Sequence, residues 1–354
     1  MSPISFIFIW KRISYFVCIQ FRRRSKIMQT VAILGAAGRN GDAVARAFLK
    51  AGWRVKGVAR GAKVRTLAPG IEPVEADAYD RAALTSACAG ADVIVHTLNP
   101  AYNDWSNTVL PLAENVLAAA EAAGATVMIP GNVYNYGYGI RPDTDENAPM
   151  SGDTEKARLR IAMEALYERA ALEKGVRTIV IRAGDFFGGG RPETWLDLMI
   201  LKDLKKDRFT WPGGWRTVHA FAYLPDLGET FARVAAKREE LSPFTTLHFR
   251  GHAVTGDEFH AAAEKAVGRR LKRSTVPWTV MRIVGLFNPV LREVVKMSYL
   301  WRVPHSLAND RLEALIGPEP HTRLDLALTE AIADMKLDRP AAARKADTRS
   351  ALAA

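Results

Sequence analysis

Cysteine is scarce: the 354 residues hold two, Cys18 and Cys88. That excludes a disulfide framework or a cysteine-built metal cluster, and it groups the chain with intracellular, cytoplasmic proteins. No metal site is expected. Long apolar runs are missing too. Residues 4–10 and 13–21 are apolar, but Lys11 and Arg12 interrupt them, so neither approaches the ~18–20 residues of a spanning helix. A small-residue cleavage site is also absent, against a secretory signal. Acids are absent from residues 1–27, which carry six cations; without those the formal charge of +11 falls to about +5, ordinary for a body that binds an anionic cofactor. With no helix-turn-helix or RNA-binding signature, nucleic acid is not an expected partner. The basic aromatic N-terminus has the composition of a membrane-surface helix. The preferred expectation is that translation starts at Met28, leaving 1–27 outside the fold, and that residues 339–354 form a disordered tail.

What is present begins with Thr30-Val-Ala-Ile-Leu-Gly35-Ala-Ala-Gly38-Arg39-Asn40-Gly41. An aliphatic strand runs into three glycines spaced three apart and then into an apolar-periodic helix. Gly35 suits the tight turn, Gly38 leaves the backbone open to a pyrophosphate, and Gly41 permits close helix packing with N–H groups aimed at the phosphates. Apolar strands are expected at 30–34, 53–59, 93–96, 126–130 and 176–182. Amphipathic helices are expected at 41–51, 80–87, 107–123 and 153–174. This alternation predicts an α/β fold, a doubly wound parallel sheet of Rossmann type, over residues 28–338. A smaller C-terminal substrate-covering lobe is expected mainly from 186–216 and 240–330.

The glycine spacing and the order of elements resemble the short-chain dehydrogenase/reductase superfamily, in its extended, epimerase/dehydratase-like branch, over residues 29–336. The resemblance implies NAD or NADP as cofactor. The end of the second strand, where an NAD site normally has an acid, reads Val58-Ala-Arg60-Gly-Ala-Lys63-Val-Arg65. With Arg39 in the turn, Arg60 favours NADP, whose 2′-phosphate suits a guanidinium fork. Asp77 matches the position where the family places an acid against adenine, or else is a turn residue with Asp80 capping the next helix. Thr97 and Asn99 follow the fourth strand, where the family's backbone passes the cofactor ribose. His96 reads as a packed strand-end residue.

Family members that transfer hydride usually carry a Ser after the next strand and a Tyr-x-x-x-Lys on the following helix. Here Asn132 takes the Ser position in Ile129-Pro-Gly-Asn132-Val-Tyr134-Asn-Tyr136-Gly137. If Glu164 matches the acid after the family's Lys, Lys156 replaces the Tyr and Arg160 the Lys. In the other register the Tyr position falls on Gly152. Neither gives the pair. Asn132, Tyr134, Lys156 and Arg160 are the candidate catalytic residues, with Tyr102, Tyr136 and Tyr138 as further loop phenols. Lys156, Arg160 and Glu164 share a helical face, either turned inward on an anion or exposed as an ion-pair ladder. Arg182, Asp185 and His219 are candidate pocket contacts, and Asp226 a helix cap. Residues 277–287 and 300–302, apolar with flanking cations, read first as a wall of the substrate lobe and second as a membrane or partner surface. The expected function is an oxidoreductase or epimerase-like enzyme on a small polar, perhaps sugar-derived, substrate, and a homodimer is compatible with it. The alternative is a non-catalytic NADP(H)-binding sensor.

Overall fold

A computed structural model describes residues 28–100, 104–192 and 194–338. The N-terminal extension, Tyr102 and the C-terminal tail lie outside the described residues. Strands β1 (Thr30–Leu34), β2 (Arg54–Ala59), β3 (Glu72–Glu75), β4 (Val93–His96), β5 (Thr126–Gly131) and β6 (Thr178–Arg182) lie in one parallel sheet with β10 (Phe244–His248). The order is β10-β6-β5-β4-β1-β2-β3. It reverses between β1 and β4, and at such a switch point the crevice beyond the strand ends takes a ligand.

Side-chain alternation explains the two-sided cover. Val31, Ile33, Val93 and Val95 face one core with helices α1 (Arg39–Lys50) and α5 (Leu224–Ala236). Ala32, Leu34 and Ile94 face the other, with α2 (Arg81–Cys88), α3 (Trp105–Ala123) and α4 (Glu155–Lys174). A strand buried on both faces reads as a continuous apolar run, which is why these strands stand out in the sequence. β3 does not, because its Glu-Pro-Val-Glu sequence belongs to a short charged edge.

The later chain builds a second layer. β7 (Asp185–Phe187), β9 (His219–Tyr223) and β11 (His252–Val254) form a three-stranded sheet, and β8 (Arg208–Trp211) pairs with β12 (Lys272–Thr275). Helices α6 (Gly256–Val267), α7 (Trp278–Gly285), α8 (Pro289–Lys296), α9 (Asp310–Ile316) and α10 (Leu324–Asp334) follow. A separate aromatic core, with Phe187, Phe209, Trp211, Phe221, Phe259 and Trp301, holds the β-layer together. Between α7 and α8, Leu286 is 70% and Phe287 85% exposed. The expected lobe wall is therefore an outward surface there, while Tyr299, Leu300 and Trp301 just beyond are buried. Asp226 does not cap its helix: its carboxylate accepts hydrogen bonds from Thr322 N and Oγ1, pinning a late loop to α5.

Candidate functional site

The glycine turn sits at the switch point. Gly35 has φ +81°, and its N–H donates to Val58 O at 3.0 Å, so the turn is sewn to the end of β2. Gly38 is the N-cap of α1 and supplies no capping side chain, leaving the first helical N–H groups for an anion. A Cβ on Gly41 would lie 2.2 Å from Gly35 O and 2.8 Å from Thr97 Oγ1. The close approach it permits is to the turn and to the end of β4. Thr97 itself donates to Leu34 O at 2.6 Å, so its hydroxyl braces the turn. Asn40 Oδ1, one residue before Gly41, is buried without a hydrogen-bond partner. An open helix terminus, a glycine turn packed too closely for a Cβ at Gly41 and an unmet polar atom together fit the diphosphate and ribose of a dinucleotide.

Arg39 Nη1 donates to Pro192 O at 2.9 Å. Arg191, which the sequence reading missed, donates to Thr66 O at 3.0 Å and lies 3.8 Å from Asp42. The strap 188–192 thus crosses the turn and brings a second guanidinium to it; the three glycines before Arg191 were its only signal. Arg60 follows β2 and lies 3.7 Å from Asp77, which also accepts from Tyr79 N–H. Asp80 caps α2 by accepting from Ala82 and Ala83 N–H, and Asn99 is exposed beyond β4.

At the end of β5, Asn132 Oδ1 accepts from Tyr134 N–H at 3.0 Å, so Nδ2 is the part of that side chain left to donate outward. The Asn132 carbonyl accepts from Arg182 Nη1 at 2.6 Å, and Arg182 Nη2 donates to Glu164 at 2.7 Å. Arg182 is fully buried, so it ties β5 to α4 and is not itself a pocket contact. Tyr136 is sealed inside: its hydroxyl lies 2.7 Å from His248 Nε2, whose Nδ1 lies 3.0 Å from Thr144 O. A carbonyl only accepts, so Nδ1 carries the hydrogen and Tyr136 donates to Nε2. Burial, with Arg182 adding, holds the His248 pKa near 3. His248 and His252 are spaced four apart, as metal ligands often are. Yet among the described residues no group of three or more His, Cys, Asp or Glu side chains is placed to hold a metal ion.

The face of α4 bearing Lys156, Arg160 and Glu164 points inward, which rules out the exposed ladder. Lys156 is 4% exposed and lies 3.3 Å from Glu293 of α8. Its ammonium is 4.8 Å, and the Arg160 guanidinium 4.7 Å, from the centre of the buried Trp105 ring. Trp105 Nε1 in turn donates to Pro100 O at 3.3 Å, fixing the β4 loop. Burial lowers the Lys156 pKa more than Glu293 raises it. His96 is buried nearby and held neutral, its pKa near 3 through burial and the Arg160 charge. Tyr134 is half-buried, beside Tyr299, whose hydroxyl is buried without a partner and whose pKa is raised, chiefly by burial. His219 Nε2 lies 2.8 Å from Asp185 and its ring stacks on Trp301 at 3.9 Å, a packed pair under the β-layer. Trp105 and Glu293 had no local signature in the sequence.

The family model described as NAD dependent epimerase/dehydratase family matches residues 31–246, more than half of the chain. A search of curated protein sequences finds no match. Among solved structures, a putative epimerase from Burkholderia cenocepacia is similar at TM-score 0.70 and 18% identity, covering 88% of this chain and 98% of its own. The UDP-glucose 4-epimerase of Thermotoga maritima, solved with UDP-glucose, is similar at TM-score 0.71 and 14% identity, covering 87% and 99%. A UDP-glucuronic acid 4-epimerase from Bacillus cereus, solved with UDP-glucuronic acid and NAD, is similar at TM-score 0.69 and 14% identity, again covering 87% and 99%. At these identities the likeness establishes the fold.

Proposed function

The chain belongs to the NAD dependent epimerase/dehydratase family, and on that premise we propose that it is an NADP(H)-dependent oxidoreductase or epimerase-like enzyme acting on a small polar, sugar-derived substrate. The observation that carries this reading is the Gly35–Gly41 turn, in which a Cβ on Gly41 would strike Gly35 O and Thr97 and the uncapped start of α1 leaves its first N–H groups for an anion. Gly38 and the first N–H groups of α1 would hold the diphosphate, Asn40 Oδ1 would accept from a cofactor hydroxyl, Arg39 and Arg60 would hold the 2′-phosphate, and Thr97 and Asn99 would flank the ribose. When bound there, such a cofactor would supply hydride chemistry at a substrate carbon.

The remaining roles fall to the chain's own residues. Asn132 Nδ2 donates to the reacting oxygen, Tyr134 offers a second donor, and Lys156 and Arg160 supply positive charge where oxyanion character develops. A buried cation strengthens that effect, because water does not screen it. The UDP-sugar complexes among the structural neighbours support the substrate class, and the lack of an acid after β2 supports NADP over NAD.

The test is a fluorescence titration with NADPH and NADH, followed by turnover against a panel of nucleotide sugars. Preferential NADPH binding, reduced or reversed in Arg60→Glu, supports the cofactor reading, and no binding of either overturns it. Glu293 closing on Lys156 favours a second reading, a cofactor-binding sensor. Tight NADPH binding with no turnover on any sugar would select it.

A further inference from the structure

We propose that the α7–α8 hairpin docks the protein on an anionic membrane surface, a property independent of the cofactor chemistry above. Val280, Ile283, Val284, Leu286, Phe287 and Val290 are 45–85% exposed on this one short stretch. Single exposed apolar residues are ordinary, but a contiguous group on a soluble surface marks an interaction site. Along the stretch itself the charges are one-sided. Lys272, Arg282, Arg292 and Arg302 are exposed and have no ion-pair partner among the described residues. The sole acid between 272 and 302, Glu293, is turned inward on Lys156 and Lys296.

Apolar tips framed by unpaired cations match the layering of a lipid interface, acyl boundary inside and anionic headgroups around it. The same charge distribution disfavours a second copy of this chain. A twofold contact through the patch would bring two copies of Arg282 and Arg292 together, with no outward acid of the same stretch to meet them. No helix among the described residues is long and apolar enough to cross a membrane, so the contact is peripheral. Leu286 and Phe287, at the turn between the helices, enter deepest.

The experiment is co-sedimentation of the full chain with vesicles of phosphatidylcholine alone and of phosphatidylcholine mixed with phosphatidylglycerol, at low and high salt. Three proteins are compared: the natural chain, Leu286→Ser/Phe287→Ser and Arg282→Glu/Arg292→Glu. All four substituted side chains across these variants are solvent-exposed, and unchanged circular dichroism and urea midpoints would certify the fold. The natural chain is expected to bind the anionic vesicles in a salt-sensitive way. The charge-reversed variant should lose at least about 25-fold in partitioning, from about fivefold for each cation removed and more for each anion added, and the serine variant should lose at least about tenfold. Absence of binding by the natural chain overturns the proposal. So does equal binding by all three proteins, which would assign the membrane contact to another segment such as residues 1–27. A dimer in sedimentation analysis that the serine substitutions dissociate, with no vesicle binding, would assign the patch to a second copy and overturn it as well.

Discussion

Lys156 Nζ lies 3.3 Å from Glu293 Oε2, joining α4 to a hairpin 137 residues later in the chain. Glu293 also accepts from Lys296 at 2.6 Å. Burial pushes its carboxyl pKa up, but Lys296 and Lys156 together hold it below the usual range.

Glu293→Gln removes the counter-charge from a buried ammonium and is expected to cost about 1–3 kcal/mol at neutral pH. The sign of the pH dependence follows from Lys156. Its folded pKa lies below 10.5, so between the two values the unfolded chain holds the extra proton and stability rises with pH. Once Lys156 is neutral the lost partner matters less. The deficit of the variant should therefore shrink from pH 7 to pH 10 in urea denaturation, and a constant deficit would show that the pair is not ionic.

Glu164→Gln tests the other buried pair. It leaves Arg182, fully buried, without its carboxylate, a loss of about 3–5 kcal/mol. Glu72→Gln, at a half-exposed pair with Arg54, should change stability by no more than about 1 kcal/mol. Equal effects in chemical denaturation would mean that burial does not govern these pairs.

Gly41→Ala places a methyl 2.2 Å from Gly35 O, so the turn must open. Expected are a loss of about 1–3 kcal/mol in stability and at least tenfold weaker NADPH binding, about 1.4 kcal/mol. A variant that is destabilised but titrates normally would detach the turn from the cofactor.

Acid sensitivity follows from four histidines. Burial holds His96, His248 and His305 near pKa 3 and His252 near 4. They stay neutral in the folded protein while the unfolded chain takes up protons below about 6.5. Stability should fall as pH drops from about 6.5 toward 4, each histidine contributing up to about 1.4 kcal/mol per pH unit. Urea midpoints at pH 7 and 5 check this, and His248→Gln should lessen the slope.

Much of the first half was legible because its signals are local. A strand buried on both faces is apolar throughout, and a turn that must admit no Cβ is glycine, so β1, β4 and the Gly35–Gly41 turn could be placed residue by residue. Edge strand β3 was not, since a charged Glu-Pro-Val-Glu stretch has no apolar period. For the candidate site, the inward face of α4 was legible as a spacing but not as a direction. Tyr136 looked as available as Tyr134 until His248, on another strand, was found to hold its hydroxyl.

The sequence by itself determined the inner strands of the sheet, the glycine turn and the absence of a Tyr-x-x-x-Lys pair, because each depends on residue type at short spacing; the edge strands β3 and β10, the latter expected in the substrate lobe, were placed only by the fold. Only the tertiary structure decided that Lys156 meets Glu293, that Arg182 is an internal tie, that Arg191 reaches the glycine turn and that Leu286 and Phe287 face outward. Those outcomes depend on which distant segments share a desolvated space. Charge pairing and burial are set by that neighbourhood, and no local pattern encodes it.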